Sequence, residues 1–368
     1  MRSKFVIRGL AATLAACGAM LIASPHADAE AAPKKVTIAV STTVLNVAYP
    51  WLMMAQAVGY WRQEGYDVQV QPVGASLQVV QQMVGGAAQI GEINSTVVVQ
   101  ANVVTKIPVR VVMLNGVIDT RISVLEDGPV KTVADLKGKT IGVFSLASGA
   151  IPLLKSYLAA NGLDPNKDVS LIPVGLGAQP VDALRTNKVQ ALVYWGSANA
   201  NFENAGLKLR YLSDPDWLKI PDFSLVALQK TIDADPDMIV SIVRGAAKAS
   251  LFAETNPDCV RKLQWAHWPN TKPTAAADEA TAAQWDLRSL NAMLATMQAA
   301  YDLGGGKLWG DVSAQDFGRM QDFMVDTKQI SDKAANETFL NTIPNFYQKV
   351  NDFDHDAVIA QAKSCEAL

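Results

Sequence analysis

From Val36 onward, short apolar runs alternate with segments whose apolar residues recur every three to four positions. Val36-Thr37-Ile38-Ala39-Val40 is β-branched and apolar, the composition of a buried strand. Trp51, Met54, Ala55 and Val58 mark a helical face over Tyr49 to Trp61, which Gly59 weakens, and Glu64-Gly65-Tyr66 makes a turn. Asp67 to Gln71 alternates as a strand, Leu77, Val80, Met83 and Val84 predict a helix, and Ala88 to Ile93 is strand-like again. Val97-Val98-Val99 is β-branched, yet its place in the strand–helix rhythm predicts a helix, and Ile107 to Leu114 closes the block as a strand.

The pattern then restarts. Lys139 to Phe144, Val169 to Val174, Gln190 to Trp195 and Lys208 to Leu212 read as strands. Helices are predicted over Ala150 to Ala160, around Val181 and Leu184, and over Asn199 to Ala205. Two further extended stretches, Arg121 to Glu126 and Ser224 to Gln229, bracket this block. After Gln229 the apolar spacing is helical only, opening on the cap-and-proline signal Asp235-Pro236-Asp237. Strands alternating with single helices predict parallel sheets covered on both faces, and the two blocks read as a distant structural echo of each other.

At 368 residues the chain is long enough for two domains. Its 35 acids against 32 bases leave a charge of −3 without a basic cluster, which excludes an electrostatic footprint for nucleic acid. Arg2, Lys4 and Arg8 precede an apolar run from Gly9 to Ala23, and Ala27 and Ala29 supply a small-x-small cleavage pattern. Residues 1–29 are therefore predicted to be a signal peptide cut after Ala29, and the protein periplasmic. Leu14-Ala15-Ala16-Cys17 offers the rival of a lipid anchor at Cys17. No later stretch has the length of a membrane span. Cys259 and Cys365 either pair or remain two buried thiols. With His267 and His355 they form no metal-ligand spacing, so no metal ligands are assigned.

Tyr60-Trp61-Arg62-Gln63-Glu64-Gly65-Tyr66-Asp67-Val68 resembles a stretch of ABC-transporter substrate-binding proteins, specifically the NMT1/THI5-like and alkanesulfonate/nitrate/taurine-binding group. Gln71 to Ser76, Gly86 to Gly91, Pro108 to Val112 and Val133 to Val143 follow in the order of that group. One departure is Gln89, where the group usually has an acid, while an acid stands at Glu92. The resemblance implies an α/β fold of the type II periplasmic-binding-protein kind, with two βαβ lobes joined by two crossing strands and a helical C-terminal part. It implies lobe one at 36–121 plus 223–368 and lobe two at 122–222, with the hinge at the stretches around Arg121–Glu126 and Ser224–Gln229. It further implies a monomer that captures a small-molecule solute for an ABC permease in the inner membrane with its ATPase, using no cofactor. A sensory module that presents its ligand to a membrane receptor is an alternative. So is a THI5-like cofactor-dependent pyrimidine synthase, although the Cys-rich motif of those enzymes is missing here.

In open α/β sheets, ligands bind where strands end and helices begin. Those ends carry Ser41, Thr42, Thr43, Gly74, Ser76, Asn94 and Ser95 in the first block, and Ser145, Ser148, Gly149, Gly175 and Ser197 in the second. Backbone amides and hydroxyls there suit a small polar solute, while the same residue types also make turns and caps. These loops hold no Lys or Arg, so an anionic end would rest on amides unless Arg121 reaches in from the first hinge stretch. Glu92, at the end of a buried strand, suits an amine, amidine or hydroxyl. Tyr49 and Trp51, with Tyr194 and Trp195, offer one aromatic pair per block for a flat ring. The solute class stays open between an organic anion and an aromatic or heterocyclic compound. No catalytic residue is assigned: there is no G-x-S-x-G elbow, and Gly304-Gly305-Gly306-Lys307 lacks both the hydroxyl residue and the strand of a phosphate loop.

Overall fold

A computed structural model describes residues 32–365. The signal peptide, its cleavage after Ala29 and the lipid site at Cys17 lie outside the described residues. In chain order the strands are β1 (Lys34–Val40), β2 (Tyr66–Pro72), β3 (Ile90–Ile93), β4 (Val109–Leu114) and β5 (Arg121–Leu125). They continue as β6 (Lys139–Val143), β7 (Val169–Pro173), β8 (Ala191–Tyr194), β9 (Leu209–Leu212) and β10 (Ser224–Leu228). Helices of the first half are α1 (Pro50–Ala57), α2 (Tyr60–Gln63), α3 (Ser76–Val84) and α4 (Ser95–Val103). The second half holds α5 (Ala150–Ala160), α6 (Ala178–Arg185) and α7 (Gly196–Asn204). The C-terminal part has α8 (Gln229–Ala234), α9 (Pro236–Thr255), α10 (Pro257–His267), α11 (Glu279–Leu303), α12 (Ala314–Asp326), α13 (Phe346–Val350) and α14 (His355–Ser364).

Local chemistry explains most boundaries. Gly59, at φ 85°, divides the single helix expected over Tyr49–Trp61 into α1 and α2. α4 forms despite its three valines because nearly all of it is buried, so packing outweighs propensity. Asp235 accepts the Met238 N–H at 3.0 Å with Pro236 behind it, the start the sequence predicts for α9. Asn256 caps α10 and Asp278 caps α11 in the same way.

Two five-stranded sheets result, in the orders β2-β1-β3-β10-β4 and β7-β6-β8-β5-β9. Three strands of each are parallel, as the βαβ rhythm requires. Neither sheet is wholly parallel, contrary to expectation. β10 returns from the second half and enters the first sheet antiparallel between β3 and β4, and β5 enters the second antiparallel between β8 and β9. The echo between the blocks is thus a shared strand order with an inserted fourth strand.

The stretches expected to form the hinge are these inserted strands. The crossings lie just before them, where Asn115–Thr120 runs beside Ile220–Phe223. Asn115 N–H donates to Phe223 O at 2.7 Å, Asp222 N–H to Gly116 O at 2.8 Å and Ile118 N–H to Ile220 O at 3.0 Å. The shift has a simple cause: an extended chain entering a sheet is stabilised by a full ladder, so the β-branched runs went into the sheets.

The core is continuous across these parts. α1 and α9 pack face to face with β1 and β3 in one apolar cluster. A second cluster joins α4, β4 and α12 to β5, β6 and α5. α11 lies along α7 of the second half, while Thr296 of α11 accepts the Val117 N–H at 3.0 Å and donates to Val117 O at 3.1 Å, fastening the first crossing. Cys259 and Cys365 form a disulfide, tying α10 to the end of α14.

Candidate functional site

A cavity of about 240 Å³ opens between the two sheet-bearing halves. Thr42, Val44, Asn46 and Tyr49 line it from the loop between β1 and α1. Leu176 and Gly177 face them from the loop after β7, with Trp195, Ser197, Ala198, Asn201 and Phe202 from the start and one face of α7. Both loops follow the carboxyl ends of strands, where open α/β sheets place their ligands. Thr42 shapes its wall: its hydroxyl donates to Val44 O at 3.0 Å and accepts the Val44 N–H at 3.2 Å, curling the loop across the opening. Trp195 is fixed from behind by Phe144, edge-on at 6.0 Å, and leaves part of its indole open.

Glu92 lies beside the Thr42–Tyr49 end. Ser41, the neighbour of Thr42, donates its hydroxyl to Glu92 Oε2 at 3.1 Å and its N–H to Glu92 O at 3.2 Å. Glu92 Oε1 is buried with no hydrogen-bond partner. Burial pushes this carboxyl up to about 8, the Ser41 bonds oppose the rise, and nearby Asp222 adds to it. Burial, and then the same carboxylate, raise the Tyr49 phenol well above its ordinary value.

Two buried aspartates frame the crossings. Asp222 Oδ1 accepts from Asn94 Nδ2 at 3.0 Å and from Ser95 N–H at 3.2 Å, Oδ2 accepts from Asn94 Nδ2 at 2.9 Å, and Ser95 Oγ donates to Asp222 O at 2.7 Å. Asp119 Oδ2 accepts the Gly196 N–H at 2.8 Å. Each aspartate stands two residues before its inserted strand, Asp222 before β10 and Asp119 before β5, and each holds the first turn of the helix after the central strand beside it, α4 or α7. Burial raises Asp222 to about 7, with its Asn94 bonds working against the rise and the Asp119 charge with it. Burial likewise raises Asp119 to about 6 against the pull of the Gly196 amide and of Arg121.

Of the residues singled out in the sequence, Thr42, Tyr49, Trp195 and Ser197 line one cavity, and Ser41 and Glu92 adjoin it. Ser76, Asn94 and Ser95 are gathered elsewhere, into the buried Asp222 network; Ser76 Oγ donates to Asn94 Oδ1 at 3.0 Å. Gly149 meets that network from the second half, accepting from Thr96 Oγ1 at 2.8 Å, and a Cβ on Gly149 would fall 2.4 Å from the Asn94 side chain. Ser145 and Ser148 hold their own turn, accepting the N–H groups of Ala147 and Ala150 at 3.2 Å each. Gly74 and Gly175 make turns at φ 119° and 68°, and Thr43 is exposed on a neighbouring groove. Arg121 stacks over Tyr211 at 5.2 Å and is not among the cavity's lining residues. Of the four aromatics, Trp51 and Tyr194 are wholly buried in the core; the Tyr194 hydroxyl donates to Gly175 O. Ala198, Asn201 and Phe202 were missed, yet their spacing of three and four from Trp195 onward traces one helical face.

The sequence profile of the NMT1/THI5 like family matches residues 47–259, more than half of the chain. The chain belongs to the NMT1/THI5 like family. That match spans most of the first half, the whole second half and both crossings. No curated protein sequence matches this NMT1/THI5 like chain. Among solved structures, it is similar to the periplasmic aliphatic sulphonate binding protein SsuA from Escherichia coli, at 15% identity over 84% of this chain and 92% of that one, with a TM-score of 0.60. It is also similar to the alkanesulfonate-binding protein SsuA from Xanthomonas axonopodis pv. citri bound to MOPS, at 17% identity over 84% and 99% of the two chains, TM-score 0.58. A Candida albicans protein with the generic periplasmic binding protein structural fold matches at 11% identity over 85% and 98%, TM-score 0.52. These likenesses show the fold, the periplasmic-binding-protein arrangement of two α/β halves and two crossings.

Proposed function

We propose that the protein is the extracytoplasmic solute-binding component of an ABC importer. A small organic solute is held between the two halves and passed, without chemical change, to a permease in the inner membrane driven by its ATPase. The observation that carries this reading is the cavity itself. Its walls come from strand-end loops of both sheets, while only two short crossings join those sheets, so a solute touching both walls favours their approach. Family membership and the names of the E. coli and X. axonopodis relatives support an import role and make sulfonates one class to test. The moving bodies are residues 36–121 with 223–368 and residues 122–222, with α11 along the seam. The binding set is Thr42, Tyr49, Trp195 and Ser197 with Asn201, and the protein acts as a periplasmic monomer.

A thermal-shift panel of sulfonates, carboxylates, amines and small heterocycles tests this, because a solute that binds only the folded form raises the melting temperature. At least one hit is expected. Trp195→Ala should reduce its shift severalfold, Arg121→Ala should leave it unchanged, and mass spectrometry of the released solute should return it intact. A hit indifferent to Trp195→Ala would place binding elsewhere, and a converted solute would make the protein an enzyme.

A further inference from the structure

Two of the solved relatives carry sulfonate-binding names, yet the surroundings of this cavity are built against an anion. An anion in a cleft of this fold is ordinarily held by a base or by the free N–H groups at a helix N-terminus. No Lys or Arg is among the residues lining the cavity. The helix starts flanking it are already taken: Asp119 accepts the first amide of α7, and Asp222 that of α4. Each carboxylate therefore meets the partial positive charge that a bound anion would have met. Arg121, whose charge is felt by Asp119, is spent on the face of Tyr211. What remains at the Thr42–Tyr49 end is Glu92, an acceptor with one oxygen left without a partner. Aromatic surface from Tyr49, Trp195 and Phe202 lines the rest.

We infer that the cavity selects a flat, single-ring solute with a neutral or cationic hydrogen-bond-donating head, and rejects organic anions. The ring lies against Trp195, and the head turns toward the Thr42–Tyr49 end, into the negative field of Glu92. A cavity of about 240 Å³ suits one ring with a small substituent. This assignment rests on the solute-capture reading and narrows it.

Three probes that share a ring and differ in head charge decide it by isothermal titration of the purified protein: benzamidinium, benzamide and benzenesulfonate. Benzamidinium and benzamide are expected to bind, with benzenesulfonate at least tenfold weaker than either. The titratable groups facing Glu92 are Tyr49 and Asp222, and Tyr49 stays protonated throughout. A cation pairs with the ionised carboxyl, which is protonated below about 8, so benzamidinium affinity should climb between pH 6 and 8. The climb should be at most tenfold per pH unit. Glu92→Gln should flatten that slope and bring benzamidinium to the level of benzamide. Filling the cavity with Ala198→Trp should abolish both titrations. Benzenesulfonate binding as tightly as benzamidinium overturns the inference, and so does an absence of binding by all three. The broader solute panel, read through Trp195→Ala, then still decides separately whether the protein captures solutes. Should Glu92→Gln fail to fold, the comparison of the three probes on the unaltered protein settles the matter alone.

Discussion

The residues that decide the account are three buried carboxyls, and their cost is electrostatic. Each is raised above its unfolded value because burial disfavours the ionised form: Glu92 from 4.5 to about 8, Asp222 from 3.8 to about 7, and Asp119 from 3.8 to about 6. Between its unfolded and folded values, each group is protonated in the folded chain and ionised in the unfolded one. Folding then binds protons, and stability falls as pH rises through that window. The melting temperature is expected to decline from pH 5 to pH 8, by an amount on the order of a few kcal/mol of unfolding free energy. Glu92→Gln should shrink the decline. A flat or rising profile would mean these carboxyls are not buried as described. Asp222→Ala is a sharper change, because it strands Asn94 Nδ2 and the Ser95 N–H in the interior. An unpaired buried donor costs about 1–3 kcal/mol, so urea denaturation should register a loss of roughly 2–4 kcal/mol. Glu92 was legible in the sequence as a charged residue ending an apolar strand. The capping role of Asp222 was not, since its partners Asn94 and Ser95 lie more than a hundred residues away in the chain and only the folded crossings bring them together.

At the scale of elements, periodicity revealed nearly every strand and helix, because a buried strand and a one-sided helix leave different spacings of apolar residues. What periodicity lacks is direction and order. β5 and β10 read as extended runs, but nothing in their own residues says that they enter the opposite sheet antiparallel. The same limit hid the site's best element. α7 shows the cavity Trp195, Ala198, Asn201 and Phe202 from one side, while Asn204 on the other donates to Trp285 O of α11 at 3.1 Å. Sequence spacing gives such a face without saying what lies opposite it. The Cys259–Cys365 disulfide was likewise undecidable from a separation of 106 residues, and the fold closes it by docking α14 beside α10 and α9. Closing so long a loop restricts the unfolded chain by about 4–5 kcal/mol in the chain-entropy estimate. Reduction, or the Cys259→Ala and Cys365→Ala pair, should therefore lower the melting temperature in calorimetry. An unchanged melting temperature would show that α14 contributes nothing to the core.

For the whole molecule, two sheets of equal strand order face each other across one cavity, with two crossings behind it and α11 fastened to the first crossing and to α7. Contact between the halves is closest at Gly149, whose missing side chain lets Asn94 and Thr96 approach. Gly149→Ala is expected to prop the halves apart, lowering solute affinity at least tenfold with little change in melting temperature, as titration and calorimetry would show together. Charge at the cavity follows from the same arrangement, since the crossings deliver an aspartate to each flanking helix start. The most direct measurement is a crystal structure of the protein with the strongest hit of the solute panel. The account expects density for the solute between Tyr49 and Thr42 on one side and Trp195, Ser197 and Asn201 on the other. A solute lodged on an outer groove, or touching one half alone, would contradict it.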